Sequence, residues 1–334
     1  MEKVSRAEFL AGMKAAGEST RLRILVLLSD GELTVKDLTR ILGQSQPRIS
    51  RHLKLLTEAN LIERFREGSW VYFRMGDGAA AGPISRLLAE TVDPQDAVLS
   101  RDRERAEVVK RERAEAAQAY FRDHAAEWDE IRSLHVAEEQ VEQAILEVAG
   151  DRPYEFLVDL GTGTGRMLEL LSSRVRRGIG IDINQAMLAY ARGRLERAGV
   201  DNCRVRLGDL FDVPVPARSA DLVVIHQVLH FLSDPAVAIR EAARLLRSGG
   251  SLLVVDFAPH ELEFLRDSHQ HQRLGFAAEQ ISQWMGQAGL ELAGERNLVP
   301  PSSGGRQGKL TVSLWLGRAK AASEGRTGNL EIAA

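Results

Sequence analysis

Three glycines at every second position, Gly161, Gly163 and Gly165, stand directly behind the apolar run Tyr154 to Leu160. A helical pattern (Met167, Leu168, Leu170, Leu171) follows at once. The order strand, tight glycine turn, helix start lets a backbone approach a nucleotide closely. A second short apolar run, Gly178 to Ile181, ends on Asp182. A carboxylate at the tip of the second strand of such a unit can accept from both ribose hydroxyls of an adenosine. The spacing GxGxG differs from the dinucleotide spacing GxGxxG, because the third glycine comes one position early. It fits a cofactor with an adenosine and no pyrophosphate, and S-adenosylmethionine is the candidate.

A second group of chemistry-bearing residues follows a later apolar run, Ala220 to Ile225. His226 would lie at the cleft end of the sheet, and His230 four residues on. Either imidazole can act as a base near neutral pH. His226 is the candidate catalytic residue. His230 sits among Val228, Leu229, Phe231 and Leu232 and reads as a packed histidine. The pair imitates a zinc motif but lacks the glutamate of HExxH, so no metal site is read there. His260, His269 and His271, with Glu261 and Glu263, read as a polar lid, with a metal or acidic-pocket role left open.

The N-terminal region points to a different chemistry. Thr34 and Asp37 form a capping-box pair opening a helix that Gly43 closes. Ser45 caps a second helix with Pro47 in its first turn. Ile49, Leu53 and Leu56 at i, i+4, i+7 give it a core face. Gln46, Arg48, Ser50, Arg51, His52 and Lys54 are left to face outward. Arg and Gln carry forked donors matched to guanine and adenine edges. Two strands, Leu61 to Arg66 and Trp70 to Met75, then form a hairpin around Glu67-Gly68-Ser69. Arg64, Arg66 and Arg74 on it would lie along phosphates.

Ser19 to Leu25 and Leu42 to Leu56 resemble the ArsR-type winged-helix family. That resemblance implies a homodimer on a palindromic double-stranded DNA operator. Metal-sensing members use cysteine pairs on these helices, and this segment has none. Residues 155–317 resemble the class I S-adenosylmethionine-dependent methyltransferases, with Asp159 to Gly165 as the first motif, Asp182 as the ribose acid and Gly208-Asp209-Leu210 after the third strand. The resemblance implies that Asp159, Gly161, Gly163 and Gly165 approach the methionine moiety. Ile183 and Met187 would wall the adenine. Asp209 would accept from its N6, with Leu210 beside it. Tyr120, with Phe121, Trp128 and Asp129, would sit on a helix folded over the cofactor. The cofactor is then S-adenosylmethionine or S-adenosylhomocysteine.

Composition agrees with an ordinary soluble protein: 44% hydrophobic and 27% charged residues. The 334 residues suffice for more than one domain. No apolar run approaches the ~18 residues of a membrane span. The N-terminus reads as no signal peptide, and a single cysteine, Cys203, excludes an internal disulfide. The expected location is the cytoplasm. Residues 1–78 hold 13 Lys and Arg against 10 Asp and Glu, a basic excess in an otherwise acidic chain.

The expected architecture is multi-domain. An α-rich winged helix-turn-helix (1–82) comes first, then a helical connector and cofactor lid (83–150). An α/β Rossmann-like methyltransferase domain with a mostly parallel seven-stranded sheet (151–318) follows, and a disordered tail (319–334) ends the chain. Two acceptors are disfavoured. DNA-amino methylation would want Asn/Asp-Pro-Pro-aromatic where His226-Gln227-Val228 stands, and arsenite methylation would want several thiols. The acceptor is an unknown small molecule. Two functions stay open: a DNA-binding regulator whose second domain senses the cofactor, and a working methyltransferase whose DNA-binding domain regulates its own operon.

Overall fold

The computed structural model describes residues 5–67, 70–76, 81–93, 95–124, 138–299 and 310–320. They form two compact units. One comprises Met1–Tyr120 together with Phe231–Asp234 and Pro259–Leu274; the other holds the rest.

The first unit opens with α1 (Arg6–Ala16) and α2 (Ser19–Ser29). A two-residue strand β1 (Leu33–Thr34) leads into α3 (Val35–Leu42). Thr34 Oγ1 accepts from Asp37 N at 3.2 Å, and Asp37 Oδ2 accepts from Thr34 N at 2.9 Å, the expected reciprocal cap. Gly43 ends α3 in the left-handed region at φ 64°, a conformation free of strain only without Cβ. α4 (Gln46–Glu58) follows. Ser45 is its N-cap residue, but its hydroxyl makes no cap bond; Pro47, with φ already helical, supplies the start instead. β2 (Ile62–Glu67) and β3 (Trp70–Met75) pair antiparallel.

The core is built from Ile24, Leu25, Leu38, Ile41, Ile49, Leu53 and Leu56, all essentially sealed from solvent. α5 (Ala81–Thr91) and the 28-residue α6 (Ala97–His124) complete the unit. This unit runs on through Tyr120. Ala106 and Val109 of α6 enter the winged-helix core, and Asp102 takes a bidentate ion pair from Arg23 of α2 at 2.5 and 2.6 Å. The charged run Arg101 to Arg113 hides a thin apolar stripe, and that stripe docks the helix.

The second unit starts with α7 (Glu138–Ala149). Then come β4 (Tyr154–Leu160), α8 (Arg166–Leu171), β5 (Val175–Asp182), α9 (Gln185–Arg197) and β6 (Cys203–Leu207). After them run β7 (Ala220–His226), α10 (Pro235–Leu245) and β8 (Leu246–Phe257). The chain leaves for α11 (Phe264–His269), which belongs to the first unit, and returns as α12 (Ala278–Gln287), β9 (Leu290–Leu298) and β10 (Val312–Ala319).

The seven strands lie in the order β6-β5-β4-β7-β8-β10-β9. β10 runs antiparallel to both neighbours, and the five strands β4 to β8 are parallel. Every residue of β7 is buried, as expected of a strand covered on both faces. Strand order reverses between β4 and β7, so the crevice at their carboxyl ends is where a ligand belongs. The tail from residue 321, Trp128 and Asp129, and the side chain of Tyr120 lie outside the described residues.

Candidate functional site

The crevice is floored by the turn after β4. Gly161, Gly163 and Gly165 adopt φ of 72°, 50° and 79°, a region closed to most side chains. At Gly161 the space is closed too: a Cβ would overlap the isopropyl group of Val228, which covers the turn from the loop after β7. The amides of Gly161 and Thr162 both donate to Ile181 O, at 2.8 and 3.0 Å, so the turn leans on the end of β5.

Asp182, at that end, accepts from Gly163 N at 2.9 Å through Oδ2 and from Asn184 N at 2.8 Å through Oδ1. With the Ile183 amide also directed at this carboxylate, acceptor capacity still remains for a further donor. Burial pushes the Asp182 carboxyl above its usual range; the amides of Asn184, Gly163 and Ile183 pull the other way and do not overcome it. Asp159 is 1% exposed and takes Thr162 Oγ1 at 2.6 Å. The structure thus places it beneath the turn, bracing it.

On the far side of Asp182, Ile183 is half exposed and Met187 is buried at the start of α9. Asp182 stands opposite Leu207 in the β5–β6 pairing, and Gly208 N donates to Asp182 O. Asp209 is exposed and closes its own loop by accepting from Phe211 N at 2.9 Å, with Leu210 beside it half-buried. Leu207 and Phe211 are exposed apolar side chains that the sequence reading passed over. Their signal was apolar residues flanking Gly208-Asp209-Leu210. Exposed apolar side chains next to a carboxylate suit the face of an aromatic ligand.

His226 ends β7, buried and opposite Val255 of β8. His230 is 2% exposed, and its Nδ1 lies 2.7 Å from Oδ1 of Asp256, itself 0% exposed. Asp256 Oδ1 also accepts from Phe257 N. The packed histidine is therefore half of a hydrogen-bonded couple with Asp256, which was legible as the single acid in Leu252 to Phe257.

In the first unit, α4 buries Ile49, Leu53 and Leu56 and exposes Gln46, Arg48, Ser50, Arg51 and Lys54. His52 departs from this set. Its side chain is 13% exposed, and its Nδ1 lies 3.5 Å from Oε2 of Glu18, the N-cap residue of α2. Burial pulls its pKa down, with Arg21, Arg48 and Arg51 adding to that and Glu18 opposing. On the wing, Arg64 and Arg66 are exposed. Arg74 is committed: it donates to Glu63 at 2.8 Å, lies 3.9 Å from Glu32 and covers the ring of Phe65. Three neighbours thus engage its guanidinium.

Residues 18–64 match the family of bacterial regulatory proteins of the arsR type, and residues 158–254 match a methyltransferase domain. The arsenic resistance transcriptional regulator ArsR1 of Pseudomonas putida is 39% identical over 90 residues, 27% of this chain and 70% of that protein. The uncharacterised methyltransferase YcgJ of Bacillus subtilis is 31% identical over 118 residues, 35% of this chain and 47% of that one. The chain spans about half the length of the methyltransferase relatives it matches. Among solved structures, a methyltransferase complexed with the Trm112 methyltransferase activator of Haloferax volcanii aligns with a TM-score of 0.51. It is 21% identical, and the alignment covers 60% of this chain and 97% of that one; it shows the fold. Among the described residues, no helix is long and apolar enough to cross a membrane.

Proposed function

Because the chain belongs to the arsR family of bacterial regulatory proteins, with a methyltransferase domain fused behind the DNA-binding one, we propose that it is a transcription regulator whose DNA affinity answers to the occupancy of a cofactor site. The cofactor is S-adenosylmethionine or S-adenosylhomocysteine. The observation that carries this reading is the joined pair of Gly163 and Asp182 at the switch point of the sheet. Three positive-φ glycines fold the backbone into a tight turn, and Asp182 presents acceptors beside it. These residues fit an adenosine with a short amino-acid chain.

Gly161, Gly163 and Gly165 would bind the methionine portion, braced by Asp159. Asp182 would hold the ribose. Ile183, Leu207, Leu210 and Phe211 would flank the base, Met187 would support that wall from inside, and Asp209 would accept from N6. The partner is a double-stranded operator, read by Gln46, Arg48, Ser50, Arg51 and Lys54 and gripped by Arg64 and Arg66. The regulator acts as a homodimer. Phe9, Leu10 and Met13 of α1 are 45%, 52% and 41% exposed, an apolar face that a second copy would cover. Calorimetric titration with each cofactor form tests the site directly; no heat of binding with either ends the reading.

A second reading, catalysis, is favoured by His230 and Asp256. When bound, S-adenosylmethionine supplies a methyl group on a sulfonium, a good leaving group, so positioning carries much of the rate. With Asp256 ionised, Nδ1–H of His230 donates to it, which leaves Nε2 as the basic nitrogen. That nitrogen suits an acceptor that must lose a proton, such as an amine, thiol or hydroxyl. Methyl transfer to a panel of these, lost in Asp256→Asn with cofactor affinity unchanged, would establish it.

A further inference from the structure

The polypeptide leaves the end of β8 at Ala258 and returns at Gly275. Gly275 sits at φ 85°, and a Cβ there would overlap the carbonyl of Ala258, so the neck of the excursion closes only on glycine. His260 N donates to Leu274 O at 3.0 Å just above the neck. Residues 259–274 thus form a compact loop with adjacent ends. Although the loop grows out of the methyltransferase sheet, it packs in the winged-helix unit.

It is held there by the wing. Tyr72, in β3, donates its hydroxyl to Gln272 O at 2.9 Å, and Arg266 donates to the same carbonyl. The guanidinium of Arg273 lies 4.3 Å from the centre of the Tyr72 ring and reaches Glu32 at 2.7 Å. Arg266 and Arg273 are 7% and 2% exposed. Buried guanidinium groups are costly to leave without their partners, so these contacts hold the loop against the wing. The side chain of Gln272 makes a further link: Nε2 donates to Phe231 O at 2.8 Å. Phe231 follows His230 directly and stands three residues after Val228, the side chain that covers Gly161.

We infer that Gln272 is the transmitting residue between cofactor loop and wing: its carbonyl is held by Tyr72, and its side chain holds the strand of chain that roofs the glycine turn. A cofactor seated on Gly161 must move or tighten Val228, and Phe231 carries that change to Gln272. The inference rests on the proposed cofactor site. Coupling of this kind needs an element that both sites bias, and the inference assigns that part to the loop 259–274.

The experiment uses the full-length protein and S-adenosylhomocysteine. Amide hydrogen exchange of β3 (Trp70–Met75) is followed with and without the ligand in wild type, Gln272→Ala and Tyr72→Phe. Gln272→Ala keeps the carbonyl that Tyr72 binds and removes only the bond to Phe231; Tyr72→Phe removes only the hydroxyl. Calorimetry establishes binding in each protein. Ligand should change wild-type exchange in β3 by about 5-fold or more, the lower end of ordinary coupling. In both variants the ligand should still bind and the change should vanish. Binding in wild type without any change in β3, or an undiminished change in both variants, overturns the inference. Absence of binding in wild type removes the cofactor site itself, and the transmission with it.

Discussion

Asp182 Oδ2 accepts the amide of Gly163 at 2.9 Å, so the acid at the tip of β5 and the turn after β4 are one piece. The residue therefore has two roles, shaping the turn and facing the ligand. Asp182→Ala should weaken S-adenosylmethionine and S-adenosylhomocysteine binding by about 2–3 kcal/mol, the loss of two good hydrogen bonds and of the turn's anchor. Calorimetry showing wild-type affinity in this variant would exclude the site.

The same carboxyl sets a pH dependence. Burial holds its pKa above the ordinary 3.8. Burial thus disfavours the carboxylate relative to water, and stability from this group is present at low pH and lost as pH rises through the raised value. Ribose hydroxyls favour the carboxylate. Cofactor affinity should therefore fall as pH drops through that raised value, before free carboxyls titrate. Asp182→Asn should bind weakly with no such slope. An identical slope in the variant would assign it to another group.

Gly161→Ala meets both a positive φ of 72° and the side chain of Val228. Backbone strain alone costs on the order of 1–3 kcal/mol. Cofactor binding should be lost, and Gly161→Ala combined with Val228→Ala should recover part of it, since only the steric component is relieved. Full recovery would show that φ is irrelevant there.

On α6, Asp102 and Glu112 both pair with arginines, yet they should not matter equally. Asp102 is 2% exposed, whereas Glu112 is about half exposed. Asp102→Ala should cost about 1–3 kcal/mol of unfolding free energy, and Glu112→Ala should leave the melting temperature unchanged. Equal effects would mean that α6 is docked by its charges along its whole length.

On the DNA face, Arg48→Ala and Arg51→Ala should each cost about 1–3 kcal/mol at the operator if they read bases. Lys54→Ala should weaken all duplexes alike and lower the salt slope. The double arginine variant retaining operator affinity would displace the reading helix from α4.

Much of this was legible from short-range patterns. The cap at Thr34 and Asp37, the stop at Gly43 and the face of Ile49, Leu53 and Leu56 depend on neighbours within a few residues, and the chain states them directly. The glycine turn and Asp182 were legible for the same reason. What the chain hides is long-range. Nothing near Asp102 announces Arg23, 79 residues away. His52 reads as outward until Glu18 is brought beside it, and Arg74 reads as a phosphate ligand until Glu32 and Glu63 surround it. His230, in the turn after β7, needs Asp256 from β8. The loop 259–274 is polar in sequence, and only the fold shows that its arginines are buried.

If the two domains are coupled, cofactor occupancy must change DNA affinity. A duplex selected by the protein from a random library is titrated at fixed salt without ligand, with S-adenosylmethionine and with S-adenosylhomocysteine. The three affinities should differ by about 5–150-fold between at least two states, and the difference should disappear in Asp182→Ala while ligand-free binding stays intact. Three equal affinities in the wild-type protein, with calorimetry proving that both ligands bind, would contradict it.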